Sequence, residues 1–287
     1  MADLKKKLDT NIDGEFFVDS TCINCDTCRQ LAPKNFKDIG EYSSVYAQPK
    51  NKDEIREATR ALLACPTGSI GTVNKNNVKE VIEDFPLLLE ENVYYVGFNS
   101  PKSYGGNSYF IKCGDGNWLI DSPKYLPPLI KKFKDLGGIK YIFLTHSDDV
   151  AEASKYAKEF SSIRFIHSEE LKAQPDAEKV LDGYEIIELS SDLLVIPTPG
   201  HTKGHCVLLY KNKFLFTGDH MRWSRDYKKL HASKSVCWHS WEEQVKSIEK
   251  LQDFSFEWVL PGHGQRIKLT RDKMKEALSE LISRIKS

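Results

Sequence analysis

The stretch LLVIPTPGHTKG, residues 193–204, places a histidine directly after an apolar run and a Pro-Gly turn. Three further residues of metal-ligating type follow apolar runs in the same way: His146 after YIFLT, Asp219 after KFLFTG and His263 after WVLPG. Short apolar runs bounded by turn residues are typical of buried strands. Since strand ends on a rigid sheet can present several ligands to one ion, we interpret His146, His201, Asp219 and His263 as candidate metal ligands.

Strand-like and helical segments alternate from Val93 onward, which predicts an α/β fold. Helices are expected over residues 125–136 and 150–160, and another begins at Ser240, which forms a capping box with Glu243. The last segment places four apolar residues on one helical face, where they should pack into the core. These residues are Leu278, Leu281, Ile282 and Ile285.

The segment TCINCDTCRQ, residues 21–30, spaces three thiols by two residues each, and a fourth stands in a Cys-Pro pair further along. Cys22, Cys25, Cys28 and Cys65 match the C-x2-C-x2-C and C-P elements of bacterial ferredoxins. They predict one 4Fe-4S cluster. The alternative is a four-cysteine zinc site, but such sites usually pair two C-x2-C knuckles.

Residues 14–73 resemble single-cluster ferredoxins around these cysteines. We therefore expect a small α+β ferredoxin-like domain over residues 1–80 and a second domain over residues 81–287. The polar turn formers at residues 74–77 mark the junction.

The second domain resembles the metallo-β-lactamase superfamily over roughly residues 88–267. The resemblance rests on Thr145-His146, on TPGHTKG at 198–204, on TGD at 217–219 and on PGHG at 261–264. It implies a four-layer αββα sandwich with a metal cleft at one edge of the paired sheets.

The first superfamily motif, T-H-x-H-x-D-H, is altered to THSDDVA at residues 145–151. Asp148 takes the second histidine position, and Val150 and Ala151 stand where the second metal is normally held. The second ion should therefore be weak or absent. Asp149, if it turns into the cleft, is the remaining candidate there, together with His263.

The first ion retains His146, His201 and Asp219, with Asp148 as a candidate fourth ligand. Two histidines and a carboxylate with open positions suit non-haem Fe(II), and zinc accepts the same ligands. The resemblance implies one iron or zinc ion. A scaffold that has lost its metal is the alternative.

Several residues near these motifs have open roles. His205 either lines the pocket or lies at the surface or beside the ligands, and His220 is expected beside the ligands. Trp238 and Trp241 are expected in the core, the alternative being a wall of the substrate pocket. The isolated thiols of Cys113, Cys206 and Cys237 are expected to be ordinary buried cysteines.

The chain has 287 residues, with 41 basic and 41 acidic side chains. Zero formal charge argues against nucleic-acid and membrane partners. No apolar stretch reaches the ~18 residues of a spanning helix, and a cytoplasmic location is expected. The partners expected are a small-molecule substrate and a redox protein that donates electrons, and the oligomeric state stays open.

Three functions follow from these features. The first is an oxidoreductase in which the cluster relays electrons to a mononuclear iron site. The second is a hydrolase of esters or thioesters, similar to glyoxalase II, with a structural or regulatory cluster. The third is a non-catalytic redox partner or sensor. The sequence indicates neither catalytic residues beyond the metal ligands nor the identity of the substrate.

Overall fold

The computed structural model describes residues 2–74 and 78–286, which form two compact units, Met1–Ile139 and Lys140–Ser287. Of the predicted junction, residues 75–77 lie outside the described part of the chain. The predicted boundary between residues 80 and 81 falls inside the first unit and stays a prediction.

The first unit begins with the cysteine-rich segment, a small α+β arrangement. Its elements are β1 Phe16–Val18, α1 Thr27–Leu31, β2 Phe36–Asp38, β3 Ser43–Val45, α2 Lys52–Ala64 and β4 Ile70–Thr72. β1 pairs antiparallel with β4, and β2 with β3. The buried Asn11 side chain donates to Val18 O at 2.8 Å and accepts from Val45 N at 3.1 Å, which ties the two ribbons together.

The rest of the first unit is an antiparallel meander with two helices. Its elements are α3 Lys79–Ile82, β5 Leu87–Glu90, β6 Val93–Tyr95, β7 Tyr109–Ile111, β8 Trp118–Ile120 and α4 Pro127–Asp135. Each strand pairs with the next along the chain. Arg56 and Arg60 of α2 both donate to the carboxylate of Asp84, which anchors the chain that leads into the meander.

The second unit continues the alternation of strands and helices. It contains β9 Tyr141–Phe143, α5 Ala153–Phe160, β10 Ile163–His167, β11 Lys179–Leu181, β12 Ile187–Ser190, β13 Leu193–Pro197, β14 Cys206–Tyr210, β15 Phe214–Gly218, β16 Arg222–Ser224, β17 Lys229–His231, α6 Trp241–Lys250, β18 Trp258–Pro261, β19 Ile267–Lys268 and α7 Arg271–Lys286. β9, β10 and β11 pair in parallel. A six-stranded sheet in the order β12-β13-β14-β15-β18-β19 carries α6 and α7 against its apolar side chains.

The local sequence patterns explain these helices. Ser240 accepts from Glu243 N at 3.3 Å, so the predicted cap of α6 is confirmed. In α7, Leu278, Leu281 and Ile282 are buried and Ile285 packs against the same cluster, which confirms the predicted stripe. The helix expected over residues 150–160 starts at Ala153, because the preceding residues continue a turn. The expected α/β class with a small α+β N-terminal part is confirmed.

No helix within residues 2–74 and 78–286 combines the length and the apolar character needed to cross a bilayer.

Candidate metal centres

The four predicted cluster cysteines surround one cavity of the first unit. Its lining includes Cys22, Cys25, Cys28 and Cys65. The first three come from the loop before α1 and from α1 itself, and Cys65 directly follows α2. The structure therefore brings together all four thiols that the sequence predicted.

The cysteine sulfur atoms accept backbone hydrogen bonds and lie in a partly buried environment of low dielectric constant. The N–H groups of Asn24 and Ser69 donate to Cys22 Sγ at 3.4 Å and to Cys65 Sγ at 3.3 Å. Burial raises the pKa of Cys25 to about 11, so the thiolate form needs a nearby cation. Iron bound by these thiols would supply that charge, and N–H donors to sulfur are typical of iron–sulfur sites. The donor set fits a cubane cluster.

Arg29 of α1 shapes the loop between the first three cysteines, a role that the sequence pattern did not indicate. The buried guanidinium donates to Asn24 Oδ1 and to Asp26 Oδ1, both at 2.7 Å. Asn24 and Asp26 both have a positive φ, at 54° and 69°. The charged clamp therefore stabilises the sharp turns that aim the thiols at one cavity.

The candidate ligands of the second unit come from four strand ends. His146 follows β9, His201 lies in the loop between β13 and β14, Asp219 directly follows β15, and His263 follows β18. The 3₁₀ turn Ser147–Asp149 adds two consecutive carboxylates. These side chains belong to one unit and converge at one edge of its sheet strands.

The distances between ligand atoms suit a metal ion. His201 Nε2 lies 3.6 Å from Asp148 Oδ2 and 3.6 Å from Asp219 Oδ2, and His146 Nε2 lies 3.7 Å from Asp219 Oδ2. Ligand atoms held at about 2.0–2.2 Å from one ion lie within about 4 Å of one another. Of the five predicted metal ligands, His146, Asp148, His201 and Asp219 thus share a first position.

A second position lies on the other side of Asp219. His263 Nε2 is 3.6 Å from Asp149 Oδ1 and 3.8 Å from Asp219 Oδ2. The side chain of Asp149 is 1% exposed, and both of its oxygens lack a hydrogen-bond partner. Asp149, whose role the sequence left open, therefore turns into the cleft, and the second position has three candidate ligands.

The unsatisfied polar atoms at this centre fit a bound cation. The buried Nε2 atoms of His146 and His201 and the Oδ1 atom of Asp219 have no hydrogen-bond partner. Buried polar atoms are normally paired, so such a cluster of unpaired ligand atoms calls for an ion. Burial alone would lower the pKa of His263, yet Asp219 and Asp149 raise it to about 10, because the carboxylates demand positive charge.

The turn after β18 is built close around the carboxylates. A Cβ at Gly262 would overlap an oxygen of Asp149 and would lie 2.9 Å from Asp219 Oδ1. The Gly262 N–H also donates to Gly218 O at 2.8 Å, which fixes the turn against the end of β15. Only glycine leaves room for the ligands at this point.

Glu170 joins the two loops that carry the first-position ligands, and no sequence signal pointed to it. Its buried carboxylate accepts from Ser147 N at 3.0 Å and from Gly204 N at 2.7 Å. Ser147 lies between His146 and Asp148, and Gly204 lies three residues after His201. The single carboxylate therefore sets the spacing of the loops.

His205 and His220 are fully buried beside the ligands. This position was expected for His220 and was one of the alternatives for His205. His205 Nε2 accepts from Asp219 N at 3.3 Å, and its Nδ1 pairs with Thr198 Oγ1 at 2.9 Å. Burial holds the pKa of His205 well below its usual range. The neutral ring thus positions the backbone of Asp219, and the His220 ring stacks on it at 5.5 Å.

The segment before α6 closes over the His201 loop. Trp238 N donates to His201 O at 2.8 Å, and Cys237 Sγ donates to Gly200 O at 3.1 Å. The Trp238 ring is 65% exposed and its centroid lies 6.2 Å from that of His201. Core packing is confirmed for Trp241, which contacts the buried cluster, but it is wrong for Trp238.

Of the three isolated thiols, Cys206 is buried as expected, whereas Cys113 and Cys237 are half-buried.

Comparisons with known proteins match both parts of the chain. The profile of the 4Fe-4S single cluster domain of Ferredoxin I matches residues 18–72, and that of the Metallo-beta-lactamase superfamily matches residues 103–263. A Caenorhabditis elegans protein named "Beta-lactamase-like protein 2 homolog" is 26% identical over 194 residues, 63% of each chain. A Salmonella arizonae protein named "Hydroxyacylglutathione hydrolase" is 27% identical over 128 residues, 43% of this chain and 51% of that one. The chain thus spans less than two thirds of the length of these relatives.

The metallo-beta-lactamase FIM-1 from Pseudomonas aeruginosa, solved in a mono-zinc form, shares the fold. Its TM-score is 0.54 at 18% identity, over 69% of this chain and 93% of that chain. This similarity confirms the metallo-β-lactamase fold predicted from the strand-end motifs. Because the superfamily profile covers more than half of the chain, the protein belongs to the metallo-beta-lactamase superfamily, here fused to a 4Fe-4S ferredoxin-like domain.

Proposed function

We propose that the protein is an oxidoreductase in which the 4Fe-4S cluster exchanges electrons with iron held by the His/Asp centre. The observation that carries the proposal is the donor set of the first position: two histidines and two carboxylates, with Asp148 where the superfamily motif has a histidine. Carboxylates with two histidines favour Fe(II). A hydrolytic centre needs no electrons, whereas a fused one-electron carrier is useful to a redox centre.

The second position extends the same proposal. Asp149, Asp219 and His263 would hold a second iron, with Asp219 shared between the two positions. This would make the centre dinuclear, beyond the single ion favoured by the sequence. The weaker ligand set, with one histidine, leaves more open coordination positions on that side.

Bound iron would supply binding of a small oxygen, nitrogen-oxide or sulfur species together with one-electron steps. The side chains of this protein prepare the site for that chemistry. Contact with His201 lowers the pKa of Asp148 to about 2, so this half-exposed carboxylate stays ionised as a ligand. The exposed Trp238 ring lies 6.2 Å from the ring of His201, where it would contact a bound substrate. A redox protein is proposed as the external electron donor, and the cytoplasmic location stays a prediction.

Hydrolysis is the second candidate, favoured by the name of one relative, a hydroxyacylglutathione hydrolase. In that case the metal would activate water for attack on a thioester, and the cluster would be structural or regulatory. The absence of histidine at position 148 distinguishes this chain from the superfamily motif and counts against the hydrolytic reading. A non-catalytic redox partner is the remaining reading.

The number of electrons that each chain takes up distinguishes the candidate functions, and this measurement needs no substrate. In an anaerobic coulometric titration of the metal-loaded protein, the proposal predicts uptake of more than one electron per chain. Combining His201→Ala with Asp219→Ala removes a ligand of the first position and the ligand shared by both positions, and this variant should take up only the electron of the cluster. His239→Ala is the matched control, because His239 lies in the neighbouring loop and pairs with Glu243 at 3.2 Å.

Uptake of a single electron by the unmodified protein would contradict the proposal. If that protein then hydrolysed a hydroxyacylglutathione thioester equally well with and without Cys65→Ser, the hydrolase reading would replace it.

A further inference from the structure

A lysine outside the ferredoxin-like segment reaches the cluster cavity within the first unit. Lys124 follows β8, and its Nζ donates to Cys65 O at 2.9 Å. Its backbone is fixed as well, since Lys124 N donates to Phe98 O at 2.9 Å. The ammonium is therefore held next to a cluster ligand by two anchored contacts.

The same part of the meander packs onto the cluster loop. Asn99 Nδ2 donates to Thr27 Oγ1 at 3.1 Å, and Asn99 N donates to Ala64 O at 3.2 Å. Thr27 directly precedes Cys28 in the sequence, and Ala64 directly precedes Cys65. The contact is buried, because the side chain of Asn99 is fully enclosed.

Gly105 shows how close this approach is. It has a φ of +86°, and a Cβ at this position would lie 2.8 Å from Cys25 Cβ and 3.1 Å from Cys25 Sγ. A side chain at this position would clash with a cluster ligand. Residues 99, 105 and 124 therefore form one cover over Cys25 and Cys65.

We propose that Lys124 sets the reduction potential of the cluster, so that the β-lactamase-like part of the chain controls its own electron carrier. Reduction adds one electron to the cluster, and a fixed positive charge beside it favours the reduced form. The partly buried position strengthens this effect, because a low dielectric screens charges less than water does. Burial lowers the pKa of Lys124, and the negative charges of the Cys65 and Cys25 thiolates offset only part of that lowering.

This inference goes beyond the proposed function, since it concerns the cluster alone. It holds whether the His/Asp centre carries out redox chemistry or hydrolysis. Charge, hydrogen bonds and solvent exclusion are the known levers on cluster potentials. Lys124 supplies the charge, and Gly105 packs directly against Cys25.

The test is a redox titration of the cluster in the full-length holoprotein, followed by its EPR signal under anaerobic conditions. Lys124→Gln removes the charge, and we expect at least a tenfold shift of the oxidised-to-reduced ratio toward the oxidised form at a fixed potential. For a one-electron couple, tenfold corresponds to about 59 mV. Lys124→Arg keeps the charge and should stay within threefold of the unmodified protein.

Lys131→Gln is the control for a general charge effect, since Lys131 is an exposed lysine of α4. Equal shifts in Lys124→Gln and Lys131→Gln would overturn the proposal. Lys124→Met is a second neutral variant of similar stem length. If both neutral variants lose the cluster while Lys124→Arg keeps it, the charge holds the loop together instead of tuning the potential, and the proposal is likewise overturned.

Discussion

Replacing Glu170 by glutamine should weaken metal binding at the first position although Glu170 is not a ligand. The carboxylate accepts two backbone N–H groups, from Ser147 and Gly204, and each belongs to a loop that carries ligands. A glutamine oxygen replaces one acceptor, but its NH₂ group must face the second N–H. One charge-assisted hydrogen bond is lost, and such a bond contributes about 1.5–3 kcal/mol.

That loss acts on the loops that place His146, Asp148 and His201. Groups that orient metal ligands typically contribute about 10–100-fold to affinity when they are removed. Since about 1.4 kcal/mol corresponds to a tenfold change, the lost hydrogen bond accounts for the same range. We therefore expect the dissociation constant of the metal to rise by about 10- to 100-fold.

The assay is competition between the protein and a chelator of known affinity, with bound metal measured after separation. Glu169→Gln is the matched control, because the neighbouring Glu169 pairs with the exposed Lys203 at 2.9 Å. An affinity of Glu170→Gln within threefold of that of Glu169→Gln would refute the reasoning. Unfolding curves of both metal-free variants show whether the loss is specific to metal binding.

Two further predictions concern separate parts of the chain. Burial alone would raise the pKa of Asp84, but hydrogen bonds from Arg56 and Arg60 hold it below its usual value. A carboxyl group whose pKa is lower in the folded state stabilises the folded protein above its unfolded pKa of about 3.9. This stabilisation is lost as the pH falls through the folded-state pKa. Asp84→Asn should therefore lower the urea midpoint at pH 7, and this effect should shrink progressively as the pH falls below about 3.9; an effect that stays the same below that pH would contradict it. Loading the protein with Co²⁺ should quench the fluorescence of Trp238, because its ring lies next to that of His201. Trp238→Phe should remove most of the quenching. Trp258→Phe should not, because Trp258 is at the end of β18 that is far from His263.

The sequence predicted the convergence of the strand-end ligands because a sheet fixes where its strands end. His146, His201, Asp219 and His263 each follow an apolar run, and the pairing of β15 with β18 brings two of them side by side. The four thiols were predictable for a similar reason, since a short loop with fixed spacing leaves few arrangements. Short sequence patterns that allow few spatial arrangements were therefore sufficient to predict these metal and cluster ligands.

Asp149, Trp238 and Glu170 could not be predicted with the same certainty. In the 3₁₀ turn, consecutive residues point about 120° apart, so Asp148 and Asp149 serve different positions. The superfamily motif places the ligands of the second metal at positions 150 and 151, one and two residues after Asp149. Trp238 looked like a core residue, but its backbone bonds to the His201 loop and its ring faces solvent. Glu170 accepts from residues 23 and 34 positions away in the chain, a pairing that only the tertiary structure creates.

The measurement that tests the central claim most directly is the content of iron, zinc and acid-labile sulfide per chain in anaerobically purified protein. The account predicts four sulfides with five irons if one position of the His/Asp centre is filled and six if both are. Four sulfides with four irons and one or two zinc ions would contradict it, because zinc cannot take part in electron exchange with the cluster.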